Sequence, residues 1–186
     1  MKILFLINKY SALSDSLSTG EWAPKGMPAI VKLFEKLTWY KIAFDVIFID
    51  KVETNYSNNL TKLSFSKFPG SNFYLANKTY KVNSRRVINV INKYVFEIKM
   101  TIKMRSVLSH GNYDLVYVDR ENIIQAALLS AFHRMKVVLR LHGVSYNYLK
   151  FNTLKSRLSR LLEFLCFKAK FSFIICSKDG SPVTPF

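Results

Sequence analysis

Five short runs of the chain are apolar at nearly every position, and they alternate with segments in which apolar residues recur every three or four positions. Uninterrupted apolar runs of this length are typical of strands that are covered on both faces of a parallel sheet. They predict strands at residues 3–7, 44–50, 115–118, 137–139 and 171–176.

Helical spacing fills most of the intervals between these strands. It predicts helices from Pro28 to position 38, from 83 or 84 to 109, over 123–131 and over 154–165. A strand, a helix and a second strand in this order make a right-handed parallel crossover. We therefore expect an α/β fold: a Rossmann-like, doubly wound and mostly parallel sheet with helices on both faces.

Two segments show no sustained periodicity. Residues 8–25 are polar and rich in serine, and we expect a long loop there. Residues 51–80 contain several asparagines, a proline and a glycine, and we expect one short strand near Phe73 with loop elsewhere. A long irregular segment inside a domain usually carries function or is mobile.

The length of 186 residues predicts one domain, which we place at 1–178, with 179–186 as a tail or the start of an interdomain link. Cys166 and Cys176 do not make a disulfide framework or a metal-ligand cluster, so we expect free, buried thiols. The first apolar run is too short for a signal peptide, and no run approaches the ~18 apolar residues of a membrane span. These features predict a cytoplasmic protein.

The charge balance is the strongest compositional signal. Lysine and arginine number 28 and aspartate and glutamate 12, which gives a net charge of +16. Such an excess favours a polyanionic partner, whether nucleic acid, an anionic lipid surface or a phosphorylated substrate. Composition alone does not choose among these partners.

His142 is the first candidate for chemistry. It follows the apolar run 137–139 by way of Arg140 and Leu141, so we expect it at the carboxyl end of a parallel strand, where ligands bind. A histidine there can act as a general base or bind a sugar or phosphate, and Gly143 would permit a sharp exit of the chain. The alternative is a structural histidine.

Gly26 is the second candidate. It precedes the helix predicted after Pro28, and backbone amides at a helix amino terminus can bind an anion. The alternative is an ordinary turn glycine. No G-x-G-x-x-G motif follows the first strand and no P-loop is present, which disfavours classical dinucleotide and NTPase sites.

Two helical stretches, 83–109 and 150–170, combine apolar stripes with many lysines and arginines. Helices of this kind can lie in a membrane interface. The alternative is a helix packed on the core with a solvated basic rim. We find no recognised nucleic-acid motif, which disfavours a nucleic-acid partner but leaves it open as one of the polyanions that the charge favours.

These features resemble the N-terminal, acceptor-side domain of a GT-B glycosyltransferase of the glycosyltransferase family 4 type. The matching residues are the first strand with its loop to Gly26, the run 113–118, the run 137–143 with His142 and Gly143, and the strand that ends at Ser177. Where the family usually has a glycine pair, this chain has only Gly26. We also expect the C-terminal donor-binding domain to be absent, as in a truncated chain or one half of a two-chain enzyme.

The resemblance implies transfer of a sugar from a nucleotide-sugar to an acceptor hydroxyl, with retention of configuration, in polysaccharide, lipopolysaccharide or lipid-linked glycan synthesis. It implies no cofactor or metal besides the nucleotide-sugar as co-substrate. His142 would be the catalytic residue, and Gly26, Arg140, Gly143 and Ser177 would bind donor or acceptor. We expect such a domain to be inactive without its partner domain, and to lie in the cytoplasm or on the cytosolic face of a membrane. The alternatives are a non-catalytic subunit that recruits a partner to membranes and a basic polyanion-binding domain.

Overall fold

The computed structural model of the protein describes residues 1–9, 11–25, 28–51, 60–78, 86–133, 135–142 and 165–177. Two units make up the chain, Met1–Asp114 and Leu115–Phe186. The boundary that we expected at residue 178 and the tail over 179–186 lie outside the described residues.

The first unit contains four strands in the order β3-β4-β2-β1. Strand β1 (Lys2–Asn8) is parallel to β2 (Ala43–Lys51), and β2 is parallel to β4 (Phe73–Lys78). Six of the seven residues of β1 are buried, as its apolar sequence predicts. The predicted strands at 3–7, at 44–50 and near Phe73 are therefore confirmed.

Strand β3 (Leu60–Leu63) is antiparallel to β4 and corrects the expectation of loop in that part of 51–80. Its four residues, Leu-Thr-Lys-Leu, are half-buried or exposed. A strand this short at the edge of a sheet buries little apolar surface, so its sequence carries no strong pattern. The strand is stabilised by its backbone pairing with β4.

The segment after β1 is not simply a loop, so the expectation of a long loop over residues 8–25 is also corrected. A 3₁₀ turn at Ser11–Leu13 leads into helix α1 (Ser14–Thr19). Gly20 ends the helix with φ at 75°, a conformation that glycine adopts without strain, and its N–H donates to the Ser16 carbonyl at 3.1 Å. Leu13 and Ser16 are fully buried. The packing of these residues against the rest of the unit stabilises helix α1, which its polar sequence does not predict.

Helix α2 (Pro28–Trp39), confirmed as predicted, covers the strands with an aromatic core. The Phe34 ring stacks on Phe44 at 5.2 Å between centroids and meets Phe5 edge-on at 5.1 Å. Trp22 lies 5.0 Å from Phe65, and so ties the loop after α1 into the same core. Offset and edge-to-face contacts of this kind add to the free energy gained from burial alone.

Helix α3 (Arg86–Gly111) is also confirmed, but the described part of its apolar stripe, Val95, Ile98 and Ile102, does not face the core. Among the side chains of α3 that the structure describes, those of Met100, Met104 and Leu108 are buried, together with the polar Glu97 and Thr101. The periodic residues Val95, Ile98 and Ile102 are 43%, 48% and 63% exposed. Among the described helices, α3 included, none combines the length and apolarity that would be needed to span a bilayer.

The buried carboxylate of Asp45 connects the amino-terminal ends of the parallel strands in this unit. One carboxylate oxygen accepts from the backbone N–H and the side-chain amide of Asn72, at 2.6 and 3.0 Å. The other accepts from the Tyr113 hydroxyl at 2.5 Å and pairs with the Lys2 ammonium at 2.8 Å. Burial alone would raise the pKa of Asp45, but these donors outweigh it and lower the pKa below its usual value.

The second unit contains three parallel strands in the order β5-β6-β7. They are β5 (Leu115–Asp119), β6 (Val137–His142) and β7 (Phe173–Ser177), and helix α4 (Ile123–His133) joins the first two. The predicted strands and the predicted helix at 123–131 are confirmed. The expected burial of the last strand is wrong, because Phe173, Ile174 and Ile175 of β7 are 68%, 48% and 47% exposed. The helix predicted over 154–165 lies outside the described residues except at its end, where 165–167 are helical.

Both units are thus built of helices and mostly parallel strands, and the predicted Rossmann-like α/β class is confirmed. Cys166 takes part in no disulfide within the described residues, and it is half-buried where we expected it to be buried.

Phe34 and Trp39 provide a matched test of the aromatic core, because both lie on α2 while only Phe34 is buried. We expect Phe34→Ala to lower the free energy of unfolding by about 3–5 kcal/mol, through lost burial and the cavity left behind. Trp39→Ala removes a side chain that is 75% exposed, and should change it by less than about 0.5 kcal/mol. Urea denaturation measures both values, and equal losses in the two variants would contradict the described core.

The Asp45 cluster predicts a pH-dependent stability. Since the folded-state pKa is lowered, the stabilisation is present above the unfolded pKa of about 3.9 and is lost as the pH falls through the folded-state value. Asp45→Asn should destabilise the protein by about 1.5–3 kcal/mol at neutral pH, with a difference from wild type that shrinks in acid. Urea denaturation across this pH range tests it, with Asp15→Asn in an exposed ion pair as the control. A difference for Asp45→Asn that stays constant with pH would contradict this account.

Candidate functional site

The carboxyl ends of β6 and β7 bring two of the predicted site residues together. The parallel register pairs the Cα of His142 with that of Ser177, at the last position of each strand. Sequence patterns placed each residue at the end of its own strand, and the register makes them neighbours at one edge. The backbone therefore offers two adjacent positions where ligands of parallel sheets bind.

Arg140 lies two positions before His142 and is half-buried. Its Cα pairs with that of Asp119 on one side and with that of Ile175 on the other. The guanidinium hydrogen-bonds with the hydroxyl of Tyr117. Burial raises the pKa of Tyr117, the positive charge of Arg140 opposes the rise, and the negative charge of Asp119 adds to it. Arg140 is thus partly engaged within its own sheet.

Gly26 and Gly143, the two glycines that we assigned to donor or acceptor binding, lie outside the described residues. The structure describes the chain as far as Lys25 before the first glycine, and as far as His142 before the second. Both assignments stay predictions.

Sequence reasoning missed a group of buried polar residues that follows β5. Asp119 ends the strand, Asn122 closes the 3₁₀ turn Arg120–Asn122 and Gln125 lies in the first turn of α4. All three are at most 2% exposed. The run of four polar residues that begins at Asp119, the last residue of β5, was a signal that could have identified this group.

Asn122 is the most unusual member of that group. It is completely buried, and neither its amide oxygen nor its amide nitrogen has a hydrogen-bond partner in the part of the chain that the structure describes. A buried amide without partners costs about 1–3 kcal/mol, so native proteins rarely keep one without a purpose. Asn122 is therefore an additional candidate at the carboxyl end of β5.

In the first unit the carboxyl ends of the strands carry a charge pair. The Lys9 ammonium lies 2.7 Å from the Asp50 carboxylate, and the Lys9 N–H donates to the Ile49 carbonyl at 2.8 Å. Asn8, the last residue of β1, is 6% exposed. Because Lys9 is neutralised by Asp50, this edge holds less free positive charge than the composition suggests. No group of three His, Cys, Asp or Glu residues that could hold a metal is found within the described ranges.

The sequence matches no protein-family model and no curated protein. Among solved structures, sucrose-phosphate synthase from Thermosynechococcus elongatus superposes with a TM-score of 0.54, at 10% identity over 94% of this chain and 42% of that chain. The glycotransferase of kitacinnamycin gives a TM-score of 0.40, at 10% identity over 88% of this chain and 35% of its own. The Phytolacca americana UGT2 protein gives 0.37, at 12% identity over 87% and 33%.

The likeness to sucrose-phosphate synthase shows a shared fold. This chain spans about two fifths of the length of sucrose-phosphate synthase, so it matches one part of that protein. Together with the parallel α/β architecture, this match confirms the predicted fold: the chain has the fold of one half of a GT-B glycosyltransferase.

Proposed function

We propose that this chain is the N-terminal, acceptor-side domain of a glycosyltransferase of the family 4 type. The reaction would move a sugar from a nucleotide-sugar to an acceptor hydroxyl, with retention of configuration. The observation that carries the proposal is the register of β6 and β7, which sets His142 beside Ser177 at the carboxyl edge of a GT-B-like half.

The residues at this edge have complementary chemistry. The imidazole of His142 can hydrogen-bond the transferred sugar or accept a proton from the acceptor hydroxyl. Ser177 supplies a hydroxyl that can both donate and accept, and Arg140 supplies a positive charge near a donor phosphate. By resemblance, Gly26 and Gly143 allow the backbone to approach the ligand closely.

A second Rossmann-like domain belongs to this proposal. It would hold most of the nucleotide-sugar and face the edge that carries His142, either in the same polypeptide or as a separate chain. Such a partner is supported by the share of sucrose-phosphate synthase that this chain spans, which is 42% of that protein. No cofactor or metal is assigned to the reaction, in which the nucleotide-sugar is a co-substrate.

The acceptor that we propose is a growing glycan or a lipid-linked glycan at the cytosolic face of a membrane. The net charge of +16 suits a phosphate-bearing acceptor and an anionic surface. Helix α3 contributes a specific feature, since the exposed Val95, Ile98 and Ile102 recur at spacings of three and four and so share one face. The exposed Lys99 and Arg105 lie on the same helix.

That face of α3 also favours the second candidate function, a non-catalytic subunit that recruits a catalytic partner to a membrane. An apolar stripe beside basic side chains can lie in a bilayer interface without spanning it. The two functions differ in what they require of His142, because a recruiting subunit needs no histidine at the carboxyl edge of its sheet.

His142→Ala tests the transferase function, with the gene kept at its own locus so that any partner domain is present. The assay measures radiolabelled sugar passing from nucleotide-sugars into glycan in membrane-containing extracts, against a strain without the gene. We expect a loss of at least about 100-fold, the usual size for a positioned acid or base.

His133→Ala is the matched control for this assay. Helix α4 runs from the end of β5 back to the start of β6, so its last residue, His133, lies at the opposite end of its unit from His142. Activity should stay within about twofold of wild type in this variant. Wild-type activity in His142→Ala would exclude the assigned role and favour the recruiting subunit.

Ile98→Asn combined with Ile102→Asn tests the membrane surface. Wild-type protein should sediment with phosphatidylglycerol vesicles and not with phosphatidylcholine vesicles, and added salt should weaken the binding. The double variant should bind about tenfold more weakly, because two partly exposed apolar side chains no longer enter the interface. Unchanged binding in the double variant, or an equal loss in Trp39→Ala on α2, would move the surface away from α3.

A further inference from the structure

A cavity of about 380 Å³ opens at the amino-terminal ends of β1, β2 and β4, at the end of these strands opposite Asn8 and Asp50. It lies entirely within the first unit and has no part in the transfer reaction proposed above. The polar and aromatic residues of its wall are Lys2, Asp45, Asn72, Tyr74, His110 and Tyr113.

The wall of the cavity is fixed before any ligand arrives. The Asp45 carboxylate holds Lys2, Asn72 and Tyr113 through the contacts of 2.5–3.0 Å described above. The Lys2 ammonium also lies 4.7 Å from the centroid of the Tyr113 ring, a cation–π contact. Groups with such fixed positions lose little conformational entropy when a ligand binds.

Gly111 makes room for this arrangement. A Cβ at that position would overlap the ring of Tyr113, so no other residue fits there without moving the ring. The end of α3 therefore lies directly against the Tyr113 ring, and only glycine permits so close an approach.

The cavity is polar but close to neutral. The charges of Lys2 and Asp45 cancel, and each group keeps a fixed orientation. Lys2 bonds to Asp45 through one of its three N–H donors, and its side chain is 30% exposed. Burial and the nearby negative charge of Asp45 raise the pKa of Tyr74, so its phenol stays protonated and can both donate and accept.

Aromatic ring faces beside oriented donors and acceptors, with no net charge, are suited to a sugar ring. Its C–H groups can contact the ring of Tyr74, and its hydroxyls can bond to Lys2 and His110. A volume of about 380 Å³ lies at the lower end of the ~300–1,000 Å³ of small-molecule sites. That size suits one or two sugar rings rather than a nucleotide-sugar.

We propose that this cavity binds a neutral sugar unit of a glycan, as a site separate from the edge that carries His142. The proposal depends only on the wall of the cavity. The protein would then bind a glycan at a second site besides the reaction site. Two contacts with the same glycan raise the effective affinity.

Saturation-transfer NMR tests the proposal with the full chain and four probes: glucose, galactose, mannose and N-acetylglucosamine. At least one of them should receive saturation and bind with a millimolar dissociation constant, as is usual for a single small ligand. Tyr74→Ala should weaken this binding at least tenfold, while Tyr40→Ala, which removes an exposed tyrosine after α2, should leave it unchanged. When the sugar is added to the wild-type protein, ¹H–¹⁵N spectra should show chemical-shift changes at the amides of Asn72 and Tyr74. This measurement does not depend on whether a variant folds.

Three results would overturn the sugar site. They are no saturation of any of the four sugars, an equal loss in Tyr40→Ala, and displacement of the sugar by inorganic phosphate. The last result would reassign the cavity to an anion held by Lys2 and His110. None of the three bears on the transfer activity assigned to His142, which the locus assay measures separately.

Discussion

The buried carboxylate of Asp45 is the interaction on which the first unit depends. Its donors come from three places, the start of β1, the residue before β4 and the segment after α3, which are far apart along the chain. Parallel strands all begin at the same end of a sheet, so each crossover must return the chain to that end. Asp45 binds the chain at three of the points where it reaches that end of the sheet. The cost of burying its charge is offset because both oxygens accept two donors.

The Asp45 cluster fixes the amino-terminal ends of the strands. The segments that follow their carboxyl ends are therefore able to be longer. The chain after β1 forms a turn, α1 and a loop that carries Trp22 into the aromatic core, before α2 begins. In the second unit, β6 and β7 end together at His142 and Ser177. This division agrees with the general rule that ligands of parallel sheets bind at the carboxyl edge. The cavity beside Asp45 departs from the rule because the cluster itself builds a wall of oriented groups.

The sequence predicted what depends on local pattern and missed what depends on distant partners. Apolar runs located the parallel strands, because a strand covered on both faces must be apolar throughout. They did not predict that the described apolar side chains of β7 are exposed. Helix α1 was missed since its stability comes from the burial of Leu13 and Ser16 by residues elsewhere in the unit. The stripe of α3 had the correct period, yet Ile98 and Ile102 are exposed while Met100 and Met104 are buried, and a period does not tell which face packs. For the site, each strand end was predictable from its own run, whereas the Asp45 cluster required contacts that no local pattern reports.

The central claim is that nucleotide-sugar chemistry takes place at the carboxyl edge of β6 and β7. Hydrogen–deuterium exchange tests it most directly, on protein isolated from its own cells with any partner attached, with and without nucleotide-sugar. The account predicts added protection in peptides that contain 140–142 and 175–177, and no change in the buried amides of β1, which exchange only when the core opens. Protection confined to peptides around Asn72 and Tyr113, with none at the ends of β6 and β7, would contradict it.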